Sequence, residues 1–179
     1  MTWQDIKHAT GLHPDGWTAE AFERMQLDAD IGAVVIGFDP NFCYSRLCYA
    51  SACLHELEGC LFVATNPDPA DRMGNGRMMP GTGCSVAALE AAAQRQAHNV
   101  GKGGAWLLPF LLEQYGVRPE EACIVGDRLD TDIWTGRQGG LRTVLPLTGI
   151  TTVDMLAAAD PGHLPDYVVP CLATLAGIE

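Results

Sequence analysis

The sequence predicts an α/β fold with a mainly parallel sheet, because short apolar runs alternate with segments of helical periodicity. Two of these runs, GAVVIGFD at 32–39 and ACIVGD at 122–127, have strand length and end in an aspartate. In open parallel sheets, ligands bind at the carboxyl ends of the strands. We therefore expect the functional residues to lie in the acidic and glycine-rich turns that follow the strands.

The first 29 residues are polar and rich in turn-forming residues, with one short helix expected from Thr18, a residue type suited to the N-cap. Beyond them the alternation becomes regular. The predicted strands are 32–39, 60–66, a short one near 98–101, 122–127, 142–149 and 166–169. The predicted helices are 44–59, 84–96, 104–116, one from about 131, one near 152–159 and a final short one. A loop rich in Gly, Pro and Asp is expected at 67–83.

Composition and charge narrow the class of protein. The 179 residues, 47% of them hydrophobic, suffice for one full domain or two small ones. A formal charge of −11 argues against nucleic-acid and anionic-lipid partners, so a site for anions must be locally positive. The sequence shows neither a secretory signal pattern nor an apolar run long enough to span a bilayer, so we expect a cytoplasmic protein. The seven cysteines form no C-x-x-C pair, which indicates reduced thiols rather than disulfides or a metal site.

Two acids after the strand at 122–127 suggest a cation site. Asp127 ends the strand and Asp132 follows five residues later. Magnesium takes oxygen ligands and keeps several waters, so one or two such carboxylates suffice, with Asp132 as a second or outer ligand. The alternative is an Asp-rich turn that caps the following helix, with Asp130 or Thr131 as the N-cap. The residues alone leave both interpretations open.

Lys102 lies in a glycine turn, NVGKGG, after another short strand. An ammonium at this position could neutralise both an incoming phosphate and the carboxylate that attacks it. A lysine in a solvated surface loop is the alternative. The order of the segments favours the first interpretation, since the glycine–lysine turn is followed by a helix and then by the apolar strand with its acidic turn.

These features closely resemble motifs III and IV of haloacid dehalogenase (HAD) superfamily phosphatases. The resemblance covers about residues 30–170 and is most specific in VGDRLDTDI. The order of the shorter segments resembles the subgroup of phosphoglycolate, pyridoxal phosphate and 4-nitrophenyl phosphatases; these segments are VVIGFD, ATNPD, PGTG, QRQA, VGK and LTGITT. The resemblance implies an α/β cap domain over 30–96 and the C-terminal half of a HAD-like Rossmannoid core over 97–179. One departure is Gly103, where the family usually has proline, and we expect it to loosen the turn.

The family hydrolyses phosphate monoesters through an aspartyl-phosphate, formed by a D-x-D-G aspartate at the end of an N-terminal strand. Asp28 in the DAD segment imitates that motif but follows a helical segment, so we do not expect it to be the nucleophile. The fold is thus predicted to be incomplete at its N-terminus, with an open edge on the strand ending at Asp127, and the chain to be weak or inactive alone. A truncated phosphatase, a split enzyme and a catalytically dead homologue that acts as a binding module remain the alternatives.

The resemblance also implies a cofactor, a substrate and a partner. Mg²⁺ would bind at Asp127 and Asp132, with Lys102 as the catalytic cation. The loop from 67 to 79 would contact the substrate through Asp68, Asp71 and Arg72, of which Arg72 suits a substrate carboxylate; a solvated loop is the alternative. The substrate would be a small phosphorylated metabolite, with 2-phosphoglycolate favoured over pyridoxal phosphate, and the cap would form a homodimer.

Arg128 follows the metal acid in the chain. It could face the phosphate as a substrate-binding residue or pair with Asp130, and we slightly favour the ion pair with Asp130.

An organellar location is the alternative to the cytoplasm if a transit peptide precedes Met1.

Overall fold

The computed structural model describes residues 18–178. The helices are α1 Ala19–Glu23, α2 Tyr44–Glu56, α3 Thr82–Ala93, α4 Leu107–Tyr115, α5 Trp134–Gln138 and α6 Val153–Ala157. The strands are β1 Ala33–Ile36, β2 Leu61–Ala64, β3 Ala70–Arg72, β4 Met78–Pro80, β5 His98–Asn99, β6 Cys123–Val125, β7 Arg142–Pro146 and β8 Tyr167–Val169. Short 3₁₀ turns occupy Pro119–Glu121, Pro161–His163 and Leu172–Ala176.

Two parallel sheets and one hairpin make up the β-structure. The first sheet has the order β1-β2-β5, with Val34 opposite Phe62 and Val63 opposite His98. The second has the order β6-β7-β8, with Val125 opposite Val144. Strands β3 and β4 form an antiparallel pair. The predicted α/β fold with parallel sheets is therefore confirmed.

Strand β5 connects the predicted cap segment, 30–96, to the predicted core segment, 97–179. It lies in the core segment, yet it is hydrogen-bonded to β2 in the cap segment. The turn with Lys102 therefore emerges from the first sheet. The division of the chain at 96/97 does not coincide with a boundary between sheets.

The first sheet is covered on one side by α2 and α3. Phe62 is completely buried there, and Leu89 of α3 and Cys53 of α2 are 1% exposed. Burial of one such large side chain contributes about 1.5–3 kcal/mol. In the second part, Ile133 and Leu145 are completely buried. All seven cysteines are free thiols, as predicted.

The predicted loop after β2 is in fact a β-hairpin. Ala70–Arg72 pairs with Met78–Pro80, and the tip is closed by bonds from Met73 N to Arg77 O at 2.8 Å and from Gly76 N to Met73 O at 2.7 Å. Gly76 has a φ of +81°, which glycine adopts at no steric cost. The loop prediction was wrong because three-residue strands are too short to show alternation, although Asn-Gly is a known hairpin signal.

The helix predicted from about 131 begins earlier, as a π-helical turn at Leu129–Ile133 that continues into α5. Neither Asp130 nor Thr131 is its N-cap, since Arg128 occupies that position without a side-chain capping bond. Instead, Asp132 reaches back from inside the helix, and its Oδ2 accepts a bond from Arg128 N at 3.2 Å. An acid within the first turn thus satisfies a backbone donor that the N-cap leaves free.

Strand β6 lies at the edge of its sheet, as expected, because it pairs only with β7 among the described residues. Val125 at its end is 40% exposed.

Asp28 lies in a turn, where its carboxylate accepts a bond from Asp30 N at 3.0 Å, and no described strand precedes it. Over residues 18–178, no helix is long and apolar enough to cross a membrane.

Candidate active site

The turn that carries Lys102 is held on both sides by side chains. Asn99, the last residue of β5, accepts a bond from Gly101 N at 3.0 Å and donates from Nδ2 to Lys102 O at 2.8 Å. Gly103 N donates to Thr135 Oγ1 at the start of α5. The backbone around Lys102 is therefore fixed by strand β5 of the first sheet and by helix α5.

Glycine is required at two positions of this turn. A Cβ on Gly101 would overlap Thr65 O at the end of β2, so only glycine allows the two strand ends to meet. Gly103 has a φ of +79°, which proline cannot adopt because its ring fixes φ near −65°. Its N–H also makes the bond to Thr135, which proline would lack. The expectation that Gly103 loosens the turn was therefore wrong.

The Lys102 ammonium contacts two carboxylates. Its Nζ is 3.1 Å from Asp68 Oδ2 and 3.2 Å from Asp132 Oδ1. Burial alone would lower the pKa of Lys102, but the hydrogen bond to Asp68 and the charge of Asp132 outweigh it, and the pKa is raised. Lys102 is thus a permanently charged cation at neutral pH.

Asp127 is oriented by the loop that follows β7. Its Oδ2 accepts a bond from Ile150 N at 2.8 Å, and its carbonyl oxygen accepts bonds from Thr151 N at 3.1 Å and Thr151 Oγ1 at 2.6 Å. Gly149 packs directly on the carboxylate, since a Cβ there would overlap Asp127 Oδ2. Gly149, Ile150 and Thr151, which follow β7, therefore hold in place Asp127, the acid that follows β6.

Asp132 and Arg128 form the buried part of the site, at 7% and 6% exposure. Arg128 pairs with Asp130 at 2.7 Å, donates from Nη1 to Ala70 O at 2.9 Å, and has Nε 3.6 Å from Asp68 Oδ1. Burial acts to lower the pKa of Arg128, but the hydrogen bond and charge of Asp130 raise it. The structure contains the ion pair between Arg128 and Asp130.

An open cavity of about 320 Å³ lies between the hairpin tip and Asp127. Its walls are Arg72, Met73, Gly74 and Gly76 on one side and Asp127, Thr148, Gly149 and Ile150 on the other. Among the sequence-predicted residues, Asp127 and Arg72 line this cavity. Lys102, Asp68, Asp132 and Arg128 form an adjoining ion-pair cluster, and Asp71 is exposed on β3, outside both groups.

The charge of these groups favours a divalent cation. Four carboxylates, Asp68, Asp127, Asp130 and Asp132, stand against three basic groups, Lys102, Arg128 and Arg72, which leaves a formal charge of −1. One Mg²⁺ would reverse it and allow a phosphate to approach.

The donor atoms fit part of a magnesium coordination sphere. Among the described residues, the hydrogen bond from Ile150 engages only Oδ2 of Asp127, so Oδ1 can bind a metal. Both oxygens of Asp132 are already engaged, by Lys102 and by Arg128 N, which suits an outer ligand. The described residues contain no group of three or more His, Cys, Asp or Glu side chains arranged to hold a metal. Two carboxylates with waters remain within what Mg²⁺ accepts.

Sequence reasoning missed the residues that hold the functional groups in place. Asn99, Thr135 and Thr151 fix the backbone of Lys102 and Asp127. Asn99 could have been found, because Asn at the end of a strand before a Gly turn commonly bonds the backbone two residues on. The other two act across long sequence separations, for which one sequence holds no signal.

Comparison with known proteins identifies the fold family. Residues 99–175 match the HAD-hydrolase-like family model. The chloroplastic phosphoglycolate phosphatase 1A of Arabidopsis thaliana is 40% identical over 143 residues, which cover 80% of this chain and 40% of that protein. By these matches, the chain resembles HAD-like hydrolases in sequence. A 4-nitrophenylphosphatase from Thermotoga maritima superposes on this HAD-like chain with a TM-score of 0.72 and 34% identity, over 88% of this chain and 60% of the other.

A glycerol phosphate phosphatase from Mycobacterium tuberculosis, solved in complex with magnesium, matches with a TM-score of 0.68 and 33% identity, over 80% of this chain and 42% of that one. The HAD-like relatives are thus named phosphatases, in agreement with the resemblance noted in the sequence. The chain spans about half the length, or less, of the curated relatives it matches.

Proposed function

We propose that this HAD-like chain serves a magnesium-dependent phosphate monoester hydrolase of the phosphoglycolate phosphatase type. The observation that carries the proposal is the contact of Lys102 with Asp132, whose side chain lies against Gly126, the residue before Asp127. A cation, an oriented carboxylate and a cluster with excess negative charge are the elements that a metal-assisted phosphate site requires.

Asp127, Asp132 and Lys102 each have a separate role in the proposed site. Asp127 would contribute Oδ1 to the metal, held in orientation by the bond from Ile150 N to Oδ2. Asp132 would be the outer carboxylate, and its contact with Lys102 holds the ammonium next to the turn that carries Asp127. Lys102 offers positive charge to a phosphate oxygen. A bound Mg²⁺ would supply further positive charge to the phosphate.

The substrate class follows from the cavity beside Asp127. Its volume of about 320 Å³ is at the lower end for small-molecule sites, which favours a compact metabolite. Arg72 on the hairpin provides a guanidinium that can bind a carboxylate in bidentate fashion. A small anion with a phosphate at one end and a carboxylate at the other, such as 2-phosphoglycolate, satisfies both ends of the site. Glycerol phosphate lacks the carboxylate and would leave Arg72 without a partner.

Turnover by the chain as given is proposed to be weak or nil, because its sequence contains no D-x-D-G segment at the end of a strand. The second candidate is therefore a catalytically dead homologue that binds a partner. One observation favours it: the first sheet exposes Val35 and Leu61. Such apolar exposure suits a homodimer through the cap. A monomer in sedimentation velocity would contradict that partner.

Calorimetric titration with inorganic phosphate, with and without Mg²⁺, tests the proposed site. We expect Mg²⁺-dependent binding that is lost in Asp127→Asn and retained in Asp160→Asn, an exposed acid with no capping bond. Hydrolysis of p-nitrophenyl phosphate by the same proteins tests the nucleophile. Rapid turnover that Asp127→Asn abolishes would show that the nucleophile is present. Absence of both binding and turnover would favour the dead homologue.

A further inference from the structure

Asp68 is buried beside the candidate site but does not face its cavity. Its Oδ2 is 3.1 Å from Lys102 Nζ, and its Oδ1 points at Arg128 Nε across 3.6 Å. That second distance is too long for a hydrogen bond, and Oδ1 is a buried acceptor without one among the described residues. The carboxylate is thus engaged by two cations and is unavailable to a substrate.

The backbone of Asp68 is locked to the start of α3. Asp68 N donates to Asn66 Oδ1 at 3.2 Å, and Gly83 N donates to Asp68 O at 2.8 Å. A Cβ on Gly81 or Gly83 would overlap the backbone oxygens of residues 67 and 68, so the P-G-T-G segment leaves no room for side chains there. The backbone of Asp68 therefore cannot shift without moving the start of α3.

Asp68 also lies where the β3–β4 hairpin contacts the loop that begins at Arg128, after Asp127. Arg128, which begins that loop, donates to Ala70 O, the first residue of β3. Two residues further on, Arg72 lines the cavity. Asp68 and Arg128 together thus connect the base of the hairpin to the loop that follows Asp127.

We infer that Asp68 is a positioning residue: it holds Lys102 against Asp132 and ties the cavity wall formed by the hairpin to the phosphate site. This inference rests on the proposed function for its consequence, but the contact itself can be measured without activity. It differs from the role that the sequence suggested for Asp68, which was direct substrate binding. A residue that acts through another should change phosphate affinity while leaving the metal affinity unchanged.

The two lysines of the chain, Lys7 and Lys102, make a direct spectroscopic test practical. In ¹⁵N-lysine-labelled protein, we expect the Lys102 ammonium to give an exchange-protected ¹H–¹⁵Nζ signal, assigned by its retention in Lys7→Arg. Asp68→Asn, which keeps the shape and removes the charge, should lose that signal. Asp130→Asn removes a charge from the same cluster without touching Lys102 and should retain it.

Affinities for inorganic phosphate and Mg²⁺ complete the test. We expect Asp68→Asn to weaken phosphate binding by about tenfold, because the charged hydrogen bond that holds the Lys102 ammonium in place is lost, with Mg²⁺ affinity unchanged. Should Asp68→Asn fail to fold, Asp68→Glu keeps the charge on a longer stem and is expected to retain the ammonium signal with weaker phosphate binding. Retention of the signal in Asp68→Asn, or unchanged phosphate affinity when the signal is lost, would overturn the inference. Absence of phosphate binding in the wild type would instead contradict the proposed function.

Discussion

Gly149→Ala should disrupt Asp127 more than any change of comparable size elsewhere. A Cβ on Gly149 would lie 1.9 Å from Asp127 Oδ2, whereas ordinary contact begins at 3.4 Å. The carboxylate or the loop must therefore move by at least 1.5 Å, the difference between those two distances. A displacement of that size breaks the 2.8 Å bond from Ile150 N.

The expected cost combines two effects. Loss of a hydrogen bond to a charged group costs about 1.5–3 kcal/mol. Overpacking of a close contact costs about 1–3 kcal/mol, and the two are not strictly additive. We expect the free energy of unfolding to fall by about 2–5 kcal/mol, which for a chain of this length lowers the melting temperature by about 2–4 °C per kcal/mol.

Thermal denaturation and Mg²⁺ titration measure these effects, with Gly162→Ala as the matched control because nothing lies within 4 Å of a Cβ there. Mg²⁺ affinity should fall about 10- to 100-fold in Gly149→Ala, since the residue orients a ligand. The control should leave both quantities near their wild-type values. If Gly149→Ala melts and binds Mg²⁺ like Gly162→Ala, then the loop after β7 does not hold Asp127 and the reasoning fails.

Two further predictions concern ion pairs. Arg128→Ala should lower the free energy of unfolding by about 1.5–3 kcal/mol in denaturant titrations, because it removes the charged hydrogen bond from a buried side chain to Ala70 O, whereas the exposed Arg118→Ala should change it little; equal effects would contradict the burial of Arg128. Backbone hydrogen bonding from Thr143 holds the pKa of Asp166 below its ordinary value, so its contribution is present above about pH 4 and is lost as the pH falls through the lowered pKa. Melting curves of wild type and Asp166→Asn should therefore differ at pH 7 and converge in acid; a gap that persists at low pH would refute this.

Parallel strands and their helices could be predicted because their local pattern agrees with the fold. β2 and β7 are short, largely apolar runs that end at turn-forming residues, which is the pattern expected of buried strands. The hairpin could not be found this way, since Ala70–Arg72 is short, polar and half exposed. Its pairing depends on the Asn-Gly turn at 75–76 and on Arg128, which lies far along the chain.

The turns that carry the candidate residues could be predicted from the sequence, since Lys102 and Asp127 each follow a strand. Their strands, β5 and β6, belong to different sheets, so the rule for the strand ends of one parallel sheet does not by itself bring the two turns together. What the sequence could not indicate is which acids share the ammonium. Asp68 lies 34 positions before Lys102, and Asp132 lies 30 positions after it. Their meeting depends on the close approaches of Gly81, Gly83 and Gly101, which appear only when the strands are assembled.

Phosphate binding is the property that most directly tests whether Asp127 and Lys102 form one metal-and-phosphate site. In calorimetry with Mg²⁺ present, the wild-type chain should bind inorganic phosphate in a saturable way, and Lys102→Met as well as Asp127→Asn should abolish the signal. Binding that is independent of Mg²⁺, or that survives both substitutions, would contradict the account.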